Sequence, residues 1–507
     1  MKPAAFGPTP DEPSAGLQHA WRDYTAIVGG QAASLALGLL GVVLATRLLG
    51  PGGYGRVALL LAVLQLLYVV VVHWTMPAVV RFGREDLLRN APGGRVLGSW
   101  LMVAGSASLT AMTFALWMPT PLRDFAGLQA GEETLVPVLL VAVAAAGGAE
   151  QLLQMTGRMG AYAAGRALGK LAFCFGLTVL VLLGSGQGRV DRVVLLMAGG
   201  FAVQALAALA FLPPSLLSSI SVDLRLVRRM LLYSAPLVAR SAAGYALDWI
   251  DVYWLRVFRS IAEVGVYHVA YRWMTVVAEL LAALTILTFP LLTGWRAVGS
   301  EASVRRYFDR VVPQLSVAWS LFVAGLGLGG AFIPAILGPG FHEVSRLFSV
   351  LLVAAAFQLA IYAYLPLFSS HDLLGRATLI VLPMLLLNLL ADLLLIPRLG
   401  AIGGAIATAL TYAAGAGLHV LAGNRPLGLR QASALVPPCL AAAALGVQGL
   451  GVPLAVQGAA FLLAATALLA WCKVRGIFAP GDLALLDRIG LPRPLRSAIG
   501  RAFAILS

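Results

Sequence analysis

Six ionisable side chains interrupt two otherwise apolar stretches between Tyr233 and Pro290. Arg240, Asp248 and Asp251 lie in the first, and His268, Arg272 and Glu279 in the second. Positions 240, 244, 248 and 251 step by three or four, as do 268, 272, 275 and 279, so each set shares one helical face. A charge at the centre of a bilayer costs about 2.5–3.5 kcal/mol even on lenient insertion scales. Such groups therefore face a partner or a wet cavity. Depth along the helices predicts Arg240 opposite Glu279, and Arg272 opposite Asp248 or Asp251. Two readings follow: structural ion pairs that satisfy one another, or a cavity wall that meets an anionic head group or a coupling ion. Three acids against two arginines leave this stripe net negative. It reads as a switchable polar wall rather than an attractor of anions.

Two further groups carry chemistry. Asn388 and Asp392 are four apart on one helix face, and Thr408 follows on the next helix, past Gly403 and Gly404. The paired glycines allow close backbone approach. Oxygen ligands of this kind suit a hard cation such as Na⁺; the alternative is hydrogen bonding across the hairpin. In the first half of the chain Arg166 and Lys170 are four apart, while Glu150, Gln151 and Gln154 end the preceding apolar stretch. A Lys170–Glu150 pair is the structural reading. The functional one has Arg166 and Lys170 drawing a phosphate group, for which both residue types are suited. Cys174, Cys439 and Cys472 stand alone without metal-ligand spacing. No phosphate-binding Gly-rich loop, zinc-protease motif or nucleophile elbow occurs. The sequence thus predicts a protein that is not an enzyme and has no cofactor beyond a coupling Na⁺ or H⁺.

The elements that must position these residues are membrane helices. Of 507 residues, 60% are hydrophobic and 11% charged, with a mean hydropathy of +0.88; a soluble protein carries roughly 25% charged residues. The pattern predicts an all-α polytopic membrane protein of about fourteen spans, each near the ~20 residues that cross a bilayer. They fall at 25–48, 57–76, 96–117, 134–155, 159–183, 192–212, 230–255, 264–290, 312–337, 345–368, 374–396, 400–422, 431–449 and 452–473. With the N-terminus inside, most of the 36 Lys and Arg lie in inner loops and tails. That bias accounts for the net charge of +14, predicts both termini in the cytoplasm, and leaves no role for a nucleic-acid partner.

Weak internal symmetry organises the spans. Pro51-Gly52-Gly53-Tyr54 opens the second span as Val264-Gly265-Val266-Tyr267 opens the eighth, and Pro77 and Pro290 end them. Six spans per repeat is an even number, so two parallel lobes are expected, a design that suits transporters. The expected divisions are a disordered tail 1–24, an N-lobe 25–212, a cytoplasmic linker 213–229, a C-lobe 230–422, two extra spans in 423–475 and an interfacial tail 476–507. No secretory signal is read before the first span.

These residues resemble a known family. Thr46-Arg47-Leu48-Leu49-Gly50-Pro51-Gly52-Gly53-Tyr54-Gly55 is similar to the segment after the first span of polysaccharide exporters and oligosaccharide-lipid (Wzx-like) flippases. Leu337-Gly338-Pro339-Gly340-Phe341 resembles their turn after the ninth span, and 388–411 their eleventh–twelfth hairpin. The chain is accordingly similar to the MOP (multidrug, oligosaccharidyl-lipid, polysaccharide) exporter superfamily. The resemblance implies a V-shaped, two-lobed fold of the MATE kind and alternating access. It also implies carriage of a polyprenyl-pyrophosphate-linked oligosaccharide across the bacterial inner membrane. Membrane lipids, a polysaccharide polymerase and other export machinery are the partners it suggests, for a monomeric carrier. A more distant resemblance to lipid II flippases implies a sodium site on Asp248 or Asp251, Asn388, Asp392 and Thr408. Arg240, Arg272, Glu279, Arg166 and Lys170 are then the expected substrate contacts. An ion-coupled multidrug antiporter of the same fold and a membrane polymerase are the competing readings.

Overall fold

The structure is a computed structural model that describes residues 13–478, apart from 90, 92, 118–119, 130, 185–187, 372 and 430–432. The described residues form helices and no strand, as the expected all-α class requires. The first seven long helices are α1 (Pro13–Val71), α2 (Met76–Leu88), α3 (Gly94–Leu116), α4 (Leu135–Met155), α5 (Met159–Leu182), α6 (Val190–Ala210) and α7 (Leu224–Phe258). There follow α8 (Ile261–Glu279), α9 (Ala282–Ala297), α10 (Val312–Gly329), α11 (Val344–Ser370), α12 (Leu374–Leu399), α13 (Ala401–Leu427), α14 (Val436–Gly449) and α15 (Leu454–Arg475).

Ten helical runs among the described residues are long and apolar enough to cross a membrane. The first of them, Gly29–Leu88, holds residues 29–48 of the first expected span and the whole of the second. They are divided by a kink at Gly50, whose φ of 65° disfavours any side chain, and by Pro51, which cannot donate to the preceding turn. Helices α7 and α8 cover expected spans too, but their ionisable residues make them too polar to count among the ten.

Several boundaries differ from expectation. Residues 13–24, expected to be disordered, are the start of α1; Pro13 sits in its first turn, where a missing N–H costs nothing. Residues 1–12 and the interfacial stretch 479–507 lie outside the described residues. The expected eighth span breaks at Leu280–Leu281 into α8 and α9. In place of the thirteenth, α14 has only 14 residues, about 21 Å at 1.5 Å per residue, short of the ~30 Å hydrocarbon core.

The chain forms two compact units, residues 1–249 and 250–507, and the division falls inside α7. Within the first unit, Val72, Met76, Phe82, Trp100, Leu153 and Met230 share a core. The Trp100 indole N–H there donates to Thr75 Oγ1 at 3.0 Å. Within the second unit α11 is the most enclosed helix; it packs against α8, α9, α10, α13 and α14.

Candidate functional site

Two helical hairpins build the site in the second unit. The first joins α7 to α8 at Arg259–Ser260. Ser260 caps α8 by accepting from the Glu263 N–H at 3.2 Å. The second joins α12 to α13 at Gly400, whose φ is 63°. The two turns are tied to each other. Arg259 Nη2 donates to the carbonyls of Pro397 at 2.9 Å and Ile396 at 3.2 Å, and Glu263 Oε1 accepts from the Ala401 N–H at 2.7 Å. Residues equally far from tied turns lie at equal depth. Asp251 and Tyr267 flank the first turn, and Asp392 and Thr408 the second; at 1.5 Å per residue all four lie about 10–12 Å in. Gly403 permits the close approach of α12 and α13, because a Cβ there would sit 2.5 Å from the Leu395 carbonyl oxygen.

The groups meet in a buried cluster. Asp251 Oδ2 accepts from Thr408 Oγ1 at 2.7 Å and from the Tyr267 hydroxyl. Its Oδ1 accepts from Asn388 Nδ2 at 3.3 Å. The Tyr267 and Thr408 oxygens are themselves 3.3 Å apart. Asp392 lies against Asp251, is 0% exposed, and has no hydrogen-bond donor on either carboxylate oxygen. Asn388 Oδ1 is likewise buried without a partner.

Two adjoining carboxyl groups in a water-poor site repel each other unless a cation or a proton intervenes. The three orphaned oxygens of Asp392 and Asn388, with Asp251 and Thr408, form an oxygen-only ligand set that fits a hard monovalent cation. A buried polar atom without a partner is costly, by ~1–3 kcal/mol and more where charged. These residues thus fit the ion anticipated from sequence.

Of the expected ion ligands, Asp251, Asn388, Asp392 and Thr408 are brought together. Asp248 belongs to the first unit and its side chain is exposed. Tyr267 was not anticipated, yet counting outward from the Arg259–Ser260 turn would have found it level with Asp251. The expected Arg272–Asp251 pair does not form: Asp251 is buried among Tyr267, Thr408 and Asn388, and Arg272 is exposed. The reason is helical phase. Tyr267 and Arg272 are five residues apart, about 140° around α8, so only one of them can face Asp251. Glu279 ends α8 half-buried, and Arg240 is exposed on the first unit's part of α7.

The first unit holds the cationic cluster. Arg166 Nε lies 3.4 Å from Glu150 Oε1, an oxygen that also accepts from Gln204 Nε2 at 2.7 Å. Arg166 Nη1 reaches the Tyr162 hydroxyl at 3.2 Å and Gln31 Oε1 at 3.4 Å. Lys170 Nζ donates to the Ser34 carbonyl at 2.9 Å. A Lys170–Glu150 pair was the structural reading; Arg166 forms an ion pair with Glu150 and also reaches Gln31 of α1, while the Lys170 charge acts on the same carboxyl group. Two cations against one acid leave this cluster net positive.

Fold and clusters together define a helical membrane protein with a buried oxygen-lined site in one unit and a cationic site in the other. The profile of the family described as "Polysaccharide biosynthesis protein" matches residues 20–294, more than half of the sequence, and the chain belongs to that family. Two curated relatives come from Haloferax volcanii. The probable low-salt glycan biosynthesis flippase Agl15 is 26% identical over 212 residues, 40% of this chain and 44% of the relative. The probable flippase AglR is 34% identical over 181 residues, 34% of this chain and 37% of the relative. The chain thus matches less than half the length of either.

Among solved structures, the lipid II flippase MurJ in an inward closed conformation superposes with a TM-score of 0.65 at 12% identity, over 89% of this chain and 99% of that one. An inward-facing multidrug resistance MATE transporter of the MOP superfamily gives a TM-score of 0.60 at 15% identity, over 80% and 98%. At such identities the likeness is one of fold. The fold is the one these two transporters share.

Proposed function

We propose that the protein is a flippase that carries a polyprenyl-pyrophosphate-linked oligosaccharide, the precursor of a cell-surface polysaccharide, across the bacterial cytoplasmic membrane. The observation that carries this reading is the family membership, to which the two relatives named as probable flippases add weight. Transport proceeds by alternating access, without covalent chemistry on the sugar. Both termini face the cytoplasm, in keeping with the positive-inside bias of the sequence.

Each cluster has a part. Arg166 and Lys170 attract the pyrophosphate, with Glu150, itself held by Gln204, keeping the guanidinium in place. Arg272 and Glu279 on α8 contact the head group, as does Arg240 on the first unit's part of α7. Asp251, Asn388, Asp392 and Thr408 hold the coupling ion, Na⁺ or H⁺, which supplies compensating positive charge between two carboxylates. Tyr267 and Thr408 orient Asp251 through their hydroxyls.

The multidrug antiporter reading draws on the likeness to the MATE transporter. Cationic drugs, however, favour accessible acids, whereas the first unit's cluster is net positive and the Asp251–Asp392 pair of the second unit is buried. Deleting the gene separates the two. A flippase deletion accumulates lipid-linked repeat units on the cytoplasmic side, and an antiporter deletion confers drug sensitivity without that accumulation.

A further inference from the structure

The segment between α6 and α7 was expected to be a cytoplasmic linker, and it is not a loose one. Its backbone lies directly on α3: a Cβ at Gly94 would sit 2.5 Å from the Ser219 carbonyl oxygen, and one at Gly98 2.3 Å from that of Ser221. Ser99 Oγ accepts from the Asp223 N–H at 3.1 Å. Asp223 in turn caps α7, its Oδ1 accepting from the N–H groups of Arg225 at 2.9 Å and Leu226 at 3.2 Å. Leu216 anchors the start of the segment in the core at 1% exposure.

This pinned segment turns apolar side chains outward. Ile220 is 47% exposed, Val222 55% and Leu224 67%. Three exposed aliphatic side chains at alternate positions of one short segment form an apolar patch, the kind of surface that marks a membrane or partner contact.

Arginines surround them. Arg81, Arg84, Arg89 and Arg95 come from α2 and its flank into α3, and Arg225, Arg228 and Arg229 from the first turns of α7; all seven are exposed. Two are pre-oriented on aromatic faces, Arg81 over Tyr233 at 4.4 Å and Arg229 over Phe82 at 5.0 Å. Glu85 meets Arg81 and Arg229, while Asp86 and Asp223 meet Arg95. Seven guanidinium groups against three carboxylates leave a strong positive excess, and Arg89 and Arg228 have no acidic partner among the described residues.

Exposed aliphatic side chains beside a basic surface match a membrane interface, with the apolar groups in the acyl boundary and the guanidinium groups at lipid phosphates. We propose that the 217–224 segment is an interfacial anchor that inserts Ile220, Val222 and Leu224 into the cytoplasmic leaflet, and that the surrounding arginines select anionic phospholipid head groups there. The surface is distinct from the Arg166–Lys170 cluster and its occupant is bulk lipid rather than the transported one.

The test uses the full chain in nanodiscs of phosphatidylcholine with phosphatidylglycerol. A spin label is placed at Ile220→Cys in a background carrying Cys174→Ala, Cys439→Ala and Cys472→Ala. Insertion predicts that oxygen relaxes this label more than a water-soluble nickel chelate does; the reverse order overturns the proposal. Mass spectrometry of retained lipid gives the second readout. Replacing Arg89, Arg225 and Arg228 together by Gln should lower the preference for phosphatidylglycerol by on the order of tenfold or more. Replacing Arg376 and Arg398 by Gln should leave it unchanged. An unaltered preference, or enrichment of a polyprenyl pyrophosphate in place of phospholipid, contradicts it. The label experiment stands even if the triple variant fails to fold.

Discussion

Replacing Tyr267 by Phe removes one oxygen from the buried acid cluster and leaves the ring in its packing place, stacked 6.1 Å from Tyr271. Asp251 then keeps two donors, Thr408 at 2.7 Å and Asn388 at 3.3 Å. A hydrogen bond to a charged group contributes about 1.5–3 kcal/mol. A cation that takes Asp251 must compete with the phenol for that carboxylate, so the variant should bind it more tightly. At 1.4 kcal/mol per tenfold, the gain is roughly ten- to a hundredfold. The same deletion should lower the melting temperature in the absence of sodium, since a buried carboxylate has lost a donor. Titrating purified wild type and Tyr267→Phe with sodium, by calorimetry or sodium-dependent thermal shift, measures both effects. A weaker affinity would make the phenol oxygen a ligand rather than a competitor, and an unchanged one would remove Asp251 from the ion site. Either result refutes the reasoning.

Other expectations follow from single contacts. Gly403→Ala should destabilise the protein by about 1–3 kcal/mol, seen as a lower melting temperature in detergent, because its Cβ meets a backbone oxygen that cannot move aside. Gly417→Ala on the same helix, with open space around it, serves as the neutral control. Arg166→Gln should reduce export by on the order of tenfold, with Arg166→Lys retaining part of it, as measured by restored surface polysaccharide in a deletion strain. The Leu226 and Arg225 backbone N–H groups and the Arg95 guanidinium hold the Asp223 carboxyl below its ordinary value. Its contribution to stability is therefore complete above the ordinary carboxylate range and is lost as pH falls through the lower folded value. The melting-temperature gap between wild type and Asp223→Ala should be open at neutral pH and close in acid.

Where the sequence was legible, periodicity and spacing carried the information. Asn388, Asp392 and Thr408 could be placed together because their helix spacing and the Gly403–Gly404 pair define a tight hairpin. Arg166 and Glu150 were recognisable as a charged neighbourhood. How the two cations share the acid was not, because Arg166 and Lys170, four residues apart, both act on Glu150. Asp248 and Asp251 could not be told apart by pattern, since both fit one helical face. What separates them is tertiary: the tie between Arg259 and the α12–α13 turn sets depth, and Asp251 alone is level with Thr408. Span edges failed where local backbone overrode hydropathy, at Leu280–Leu281 and in the short α14. The linker illustrates a further limit, since pattern places it between the lobes but only the structure shows its backbone at Ser219 and Ser221 lying against Gly94 and Gly98 of α3, which have no Cβ to hold it away.

The central claim is best tested in proteoliposomes holding the purified protein and a radiolabelled polyprenyl-pyrophosphate oligosaccharide confined at first to one leaflet. Arrival of the sugar in the other leaflet is scored by its cleavage with an added glycosidase that cannot cross the bilayer. The account predicts protein-dependent arrival that slows in Arg166→Gln and loses its dependence on an imposed ion gradient in Asp392→Asn. A sugar that stays protected while the same vesicles export a cationic dye would contradict it.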